Sequence, residues 1–102
     1  MVLESLPESL VTISSNAFVT CKNLRITSIP AGVETIEANA FKNCTGLTEI
    51  TFKGTPTSIA AAAFSGCTNL LTINVPWSEG AIADAPWGAT NATITYDYVA
   101  SE

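Results

Sequence analysis

One spacing governs this chain. The motif Ala-Phe-x-x-Cys occurs at Ala17-Phe18 with Cys21, at Ala40-Phe41 with Cys44 and at Ala63-Phe64 with Cys67, each copy 23 residues after the last. Three residues past each cysteine stands a leucine: Leu24, Leu47 and Leu70. The same step links Ile13, Ile36 and Ile59, and also Leu6, Ile29, Phe52 and Val75. A chain whose apolar residues recur at a fixed period repeats one short unit. No single unit can bury its apolar side alone, so the units must stack and share one continuous core.

A period of roughly 20–29 residues with recurring Leu and Ile columns is the signature of a leucine-rich repeat solenoid. The expected fold is an α/β-type repeat of short parallel strands and short helical turns. About three 23-residue repeats fill residues 1–75, and a degenerate capping repeat fills 76–102, in one domain overall. In the second copy Pro30-Ala31-Gly32 marks a turn, and Val33 and Ile36 face inward. Asn39 caps a short helical turn that carries Ala40, Phe41 and Cys44, as Asn16 does one repeat earlier. The residue before each leucine is Asn23, Gly46 or Asn69. These types share a tolerance of positive φ, which predicts the left-handed residue that ends the turn. A strand follows, Leu47-x-x-Ile50-x-Phe52, stacked in parallel on its counterparts at about 4.8 Å.

The 23-residue step carried into the last segment maps Ile59 onto Ile82, Phe64 onto Trp87, Ile73 onto Tyr96 and Val75 onto Tyr98. Leu70 meets Thr93 and Cys67 meets Thr90. Core columns turning larger or polar are what a terminal repeat facing water requires. At the other end Leu3, Leu6, Leu10 and Ile13 leave an open apolar turn and a parallel sheet edge. A longer parent chain or a homo-oligomer formed through that edge would cover them.

Composition sets bounds on function. Net charge is −5, and the four bases, Lys22, Arg25, Lys42 and Lys53, form no stripe, so nucleic acid is not the expected partner. No apolar run is long enough to insert into a membrane. The first fifteen residues lack both a basic n-region and a continuous apolar h-region, so they are not a secretory signal. Histidine is absent, which removes the commonest general acid-base group and any Ser-His or Cys-His nucleophile. The acids Glu34, Glu37, Glu79 and Asp84 are read as solvated edge charges, not a glycosidase pair across a cleft. Three cysteines at a 23-residue spacing, without Cys-x-x-Cys, read as buried thiols in preference to a disulfide or a zinc site. No catalytic residue, metal or cofactor is expected.

These columns resemble the BspA-like bacterial leucine-rich repeat family. Its pattern, Leu-x-x-Ile-x-Ile-Pro-x-x-Val-x-x-Ile-x-x-x-Ala-Phe-x-x-Cys, is read from Leu24 through Cys44, with Thr27 in place of one strand isoleucine. Lys53 and Pro56 replace the Pro and Val of the next copy. The resemblance covers about residues 3–76. It implies a curved solenoid from a surface protein of bacteria or some protists, or from a phage-encoded protein, with adhesion to host proteins or other cells as its role and no catalytic residues. The location it implies is the cell surface, the secreted fraction or a virion, within a larger protein.

The site expected on this basis is the outward face of the parallel sheet. One column is Ser28, Thr51 and Asn74; a second, two residues earlier, is Ile26, Glu49 and Thr72; Arg25 lies beside them. Solenoids commonly bind partners on such a face, here a protein or a glycan. Trp87 falls in the core phenylalanine column and is read as a seal on the last turn. Trp77 falls in a turn column, where it serves either as an aromatic anchor for the partner or as packing.

Overall fold

The computed structural model describes residues 6–99. Seven short strands follow one another: β1 (Thr12–Ile13), β2 (Ser28–Ile29), β3 (Thr35–Ile36), β4 (Glu49–Phe52), β5 (Ser58–Ile59), β6 (Thr72–Asn74) and β7 (Thr93–Thr95). They form two sheets, in the orders β1-β3-β5 and β2-β4-β6-β7, and every pairing is parallel. Thr12 lies opposite Thr35 and Thr35 opposite Ser58; Ser28 lies opposite Thr51 and Thr51 opposite Asn74. Each turn of the coil therefore advances by the 23 residues of the sequence period. The result is a parallel β-solenoid of about four turns.

The period places like side chains on like. Phe18, Phe41 and Phe64 stack with ring centroids 5.3 and 5.1 Å apart and planes within 7° and 4°. Leu47, Leu70, Ile50, Ile73, Phe41 and Phe64 have no exposed surface at all. Beside the rings, the Cys44 thiol donates to the Phe18 carbonyl and the Cys67 thiol to the Phe41 carbonyl, both at 2.9 Å. Cysteine suits this column because it is small enough to lie against a ring stack and can still donate to a carbonyl of the turn before. Burial pushes the Cys44 thiol up to about 12, although the main-chain hydrogen bond from Cys21 pulls the other way. Burial raises Cys67 as well. Cys21, at the N-terminal end of the stack, is half-buried.

The third wall of the coil is not helical, which corrects the expected α/β repeat. Residues 38–43 alternate two kinds of bond. The N–H groups of Ala40, Lys42 and Cys44 bond three residues back within the turn, to Glu37, Asn39 and Phe41, whereas those of Phe41 and Asn43 reach forward to Ala63 and Ser65 of the next turn. An α-helix would keep all of these donors within its own segment. The backbone angles agree. Asn16 and Asn39, expected as N-caps, are themselves left-handed at φ 61° and 59°.

The expected left-handed column also moves. Asn23, Gly46 and Asn69 do not have positive φ; Thr20, Asn43 and Gly66 do, three residues earlier in each turn and again 23 apart. Asparagine before the leucine has a different use. Asn69 Nδ2 donates to the Thr45 carbonyl at 2.8 Å, and Asn91 Nδ2 to that of Thr68 at 3.1 Å, so these amides link successive turns. Gly46 is needed for space, since a Cβ there would sit 2.5 Å from the Lys22 carbonyl oxygen and 2.9 Å from that of Leu24.

Two local departures from the period shape the four-stranded sheet. In the second turn Ile26 is buried and Thr27 exposed, the reverse of Glu49 and Ile50 one turn later. With threonine at 27 the apolar side chain available to the core is Ile26, and the chain turns it inward. Ile26 is therefore not on the outer face, and β2 keeps only two residues in register with β4. In the last turn Thr72, Ile73 and Asn74 pair with Thr93, Ile94 and Thr95. The step has dropped from 23 to 21, so Ile94 and not Tyr96 continues the isoleucine column. The loss falls between Trp87 and Ile94, where buried Ala89 is followed by exposed Thr90 and Asn91.

Candidate functional site

The shortened last turn lengthens the outer face. With Thr93 and Thr95 brought into register, one row runs Ser28, Thr51, Asn74, Thr95 and the next runs Glu49, Thr72, Thr93. Threonine suits a half-solvated strand, where its branched Cβ packs and its hydroxyl reaches water. Glu49, Thr93 and Thr95 are exposed; Ser28, Thr51 and Thr72 are half-buried.

Asn74 fixes the middle of this face. It is only 5% exposed, and its Nδ2 donates both to Glu49 Oε2 at 3.0 Å and to Thr51 Oγ1 at 3.1 Å. The amide thus holds a carboxylate and a hydroxyl of β4 in set orientations, with their remaining lone pairs turned to solvent. Asn74 is a support for the site and not an accessible member of it.

Two other expected site residues lie elsewhere. Trp77 is not on the face; it is 6% exposed and packs edge-on against Phe52 at 5.2 Å and Trp87 at 6.2 Å. Its turn column hid the fact that the capping turn leaves space for a second large ring. Trp87 is fully buried and donates Nε1–H to the Ala83 carbonyl at 2.9 Å, sealing the last turn. Arg25 is exposed, and its Nε lies 3.5 Å from where a Cβ on Gly46 would be, so it covers that glycine outside the two rows.

A shallow open groove of about 1240 Å³ runs along the face. Ser28, Glu49 and Thr51 contribute to it from the sheet, and Thr27 and Lys53 flank them. Pro76 and the segment Asp97–Val99 close the C-terminal side. Asp97 is left-handed at φ 54°, which folds the chain back: Asp97 N–H bonds to the Trp77 carbonyl and Tyr98 N–H to that of Val75, both at 2.9 Å. Ser78 Oγ donates to Asp97 Oδ1 at 2.8 Å. The sequence period did not point to Lys53 or Asp97, and it placed Tyr98 in the interior Val75 column, not at a groove. The likeness of Thr72-Ile73-Asn74 to Thr93-Ile94-Thr95 was the signal for the last strand.

Among the described residues no group of His, Cys, Asp or Glu is arranged to hold a metal ion, and no helix is long and apolar enough to cross a membrane. The coil, its stacked apolar columns and its outer parallel face define a leucine-rich repeat protein. Residues 4–87 match the model of the BspA type leucine rich repeat region (6 copies), and the chain belongs to that family. No curated protein and no solved structure matches it. Leucine-rich repeat families are generally non-enzymatic, and BspA-type domains are typically found in bacterial surface proteins. The family suggests a repeat-based binding or adhesion module.

Proposed function

We propose that this chain is a non-enzymatic recognition module of a bacterial or phage surface protein, binding a protein or glycan through the outer face of its four-stranded sheet. The observation that carries the reading is the registered double row of polar side chains, anchored by Asn74 and bounded by the folded-back segment Asp97–Val99. In this reading the division into repeats (1–75) and cap (76–102) holds for the core, and the cap's strand β7 adds Thr93 and Thr95 to the face. Because Asn74 is buried, the test is Thr51→Arg. On an immobilised panel of extracellular-matrix proteins and glycans, this variant loses whatever the parent binds while keeping its melting temperature. Retained binding refutes the reading.

A second reading has its own observation. Phe18 and Cys21 are half-buried at the head of their columns, and Val11 and Val19 near them are 48% and 41% exposed. In this reading the chain is a structural subunit that associates with another copy through its N-terminal turn. Light scattering over a concentration series reports an oligomer that Leu6→Glu or Phe18→Glu disperses; a monomer at every concentration rejects it. Leu3, the other position expected in that contact, lies outside the described residues.

A further inference from the structure

The groove has a chemistry narrower than that of the face as a whole. Its central strand has no free main chain: β4 is paired on both sides, by β2 and β6, and β2, which supplies Ser28 at the margin, is paired with β4. A peptide cannot add at β4 as another strand, which is how extended peptides usually gain affinity on a sheet.

Its charge does not suit an anion. Glu49 and Asp97 line it against a single cation, Lys53, in a chain of net charge −5. Phosphate, sulfate and nucleic acid would meet repulsion at the floor and at the wall.

What is left is an array of neutral and carboxylate oxygens beside a less polar wall. Asn74 holds Glu49 and Thr51 by 3.0 and 3.1 Å hydrogen bonds, so their free lone pairs are set before anything binds. Pro76 and the half-buried Tyr98 stand across from them, and Tyr98 is fixed by its main-chain bond to Val75. Prearranged polar groups on one side and an amphipathic aromatic on the other fit a ligand with hydroxyl edges and an apolar C–H face. A neutral pyranose is such a ligand.

We propose that the groove binds a neutral oligosaccharide, with Glu49 and Thr51 taking ring hydroxyls and Tyr98 lying against a sugar face. This rests on the reading of the four-stranded face as the recognition surface. The test is an NMR titration of the ¹⁵N-labelled chain with maltotetraose, cellotetraose, mannotetraose and chitotetraose, alongside a heparin tetrasaccharide and a random peptide pool. The expected result is that one neutral sugar shifts the amide signals of Thr51, Asn74 and Tyr98 and leaves Thr12 and Ser58 unmoved. Tyr98→Ala and Glu49→Gln each weaken that binding roughly tenfold, as anchors in a small site do, without moving the denaturation midpoint. If no neutral sugar shifts these signals, or both variants bind as the parent does, the proposal is overturned. Shifts at the same amides from the heparin fragment or the peptides alone overturn the sugar assignment but leave the recognition face standing.

Discussion

The phenylalanine column allows a quantitative test of how the solenoid is held together. Phe41 has a ring on each side, Phe18 at 5.3 Å and Phe64 at 5.1 Å, and is fully buried. Each offset ring pair contributes about 0.5–1.5 kcal/mol beyond area burial. Phe41→Leu therefore loses about 1–3 kcal/mol of stacking, and the closed site adds about 1 kcal/mol for the space left behind. Phe64 is equally buried but stacks on Phe41 alone; Trp87, which occupies the next position, packs against Phe52 and Trp77 instead. Phe18 has one partner and is half-buried, so its leucine variant costs about 1 kcal/mol. The expected order of cost is Phe41, then Phe64, then Phe18. A gap of about 2 kcal/mol between the extremes corresponds to roughly 8–16 °C in melting temperature for a domain of this size. Urea unfolding followed by fluorescence of Trp77 and Trp87, both buried, reads the difference as a shift in midpoint at constant slope. Equal costs at Phe18 and Phe41 would refute the nearest-neighbour account, in which each turn is stabilised by the turns it touches.

Further predictions follow from single contacts. Gly46→Ala should destabilise by about 1–3 kcal/mol because the atoms its Cβ meets are backbone oxygens of the turn before; a neutral result on chemical denaturation would mean the turns are farther apart than described. Asn69→Ala should cost about 1 kcal/mol through the lost bond to Thr45, whereas Asn23→Ala, with no such bond described, should cost less. A thiol reagent should label Cys21 quickly and label Cys44 and Cys67 only on unfolding; three equally fast thiols would contradict the packing. Burial pushes the folded Cys44 thiol up to about 12, so an unfolded chain loses this proton first. The contribution is intact below about pH 9 and is lost as pH rises toward 12. Alkaline melting should therefore be less steep in Cys44→Ala than in the parent, and parallel curves would rule this out.

How far the sequence reached depended on which interaction decided each position. Burial is periodic, and the columns of Ile13, Phe41, Leu47 and Ile73 could be assigned from spacing alone. Backbone conformation is less local. The 38–43 turn resembles a helix start in composition, but inter-turn hydrogen bonds take its donors, and those bonds become visible only when the turns are stacked. Asparagine and glycine sharing the Asn23-Gly46-Asn69 column pointed to positive φ, which the structure overturns. The cause is a side-chain link at Asn69 and a close backbone approach at Gly46, not positive φ.

The candidate site was legible in its middle and not at its ends. Thr51, Glu49 and Thr72 sit where strict period places them. Ile26 departs because Thr27 left the core short of an apolar side chain. Thr93 and Thr95 were missed because two residues are dropped in the capping turn; of the two readings of Trp77, packing holds, because that turn builds its own aromatic cluster. The 23-residue step places Tyr98 in the interior Val75 column, but the last turn advances by 21, so Asp97 and Tyr98 fall past the columns and form the groove wall.

The account's central claim is that recognition belongs to the four-stranded face. The most direct measurement is an arginine scan of three places: Thr51 on that face, Thr12 on the three-stranded sheet and Phe18 at the N-terminal end, each assayed on the same protein and glycan panel. The account predicts that Thr51→Arg alone abolishes binding while Thr12→Arg binds as the parent does. Binding that survives Thr51→Arg and is lost with Thr12→Arg or Phe18→Arg would contradict it.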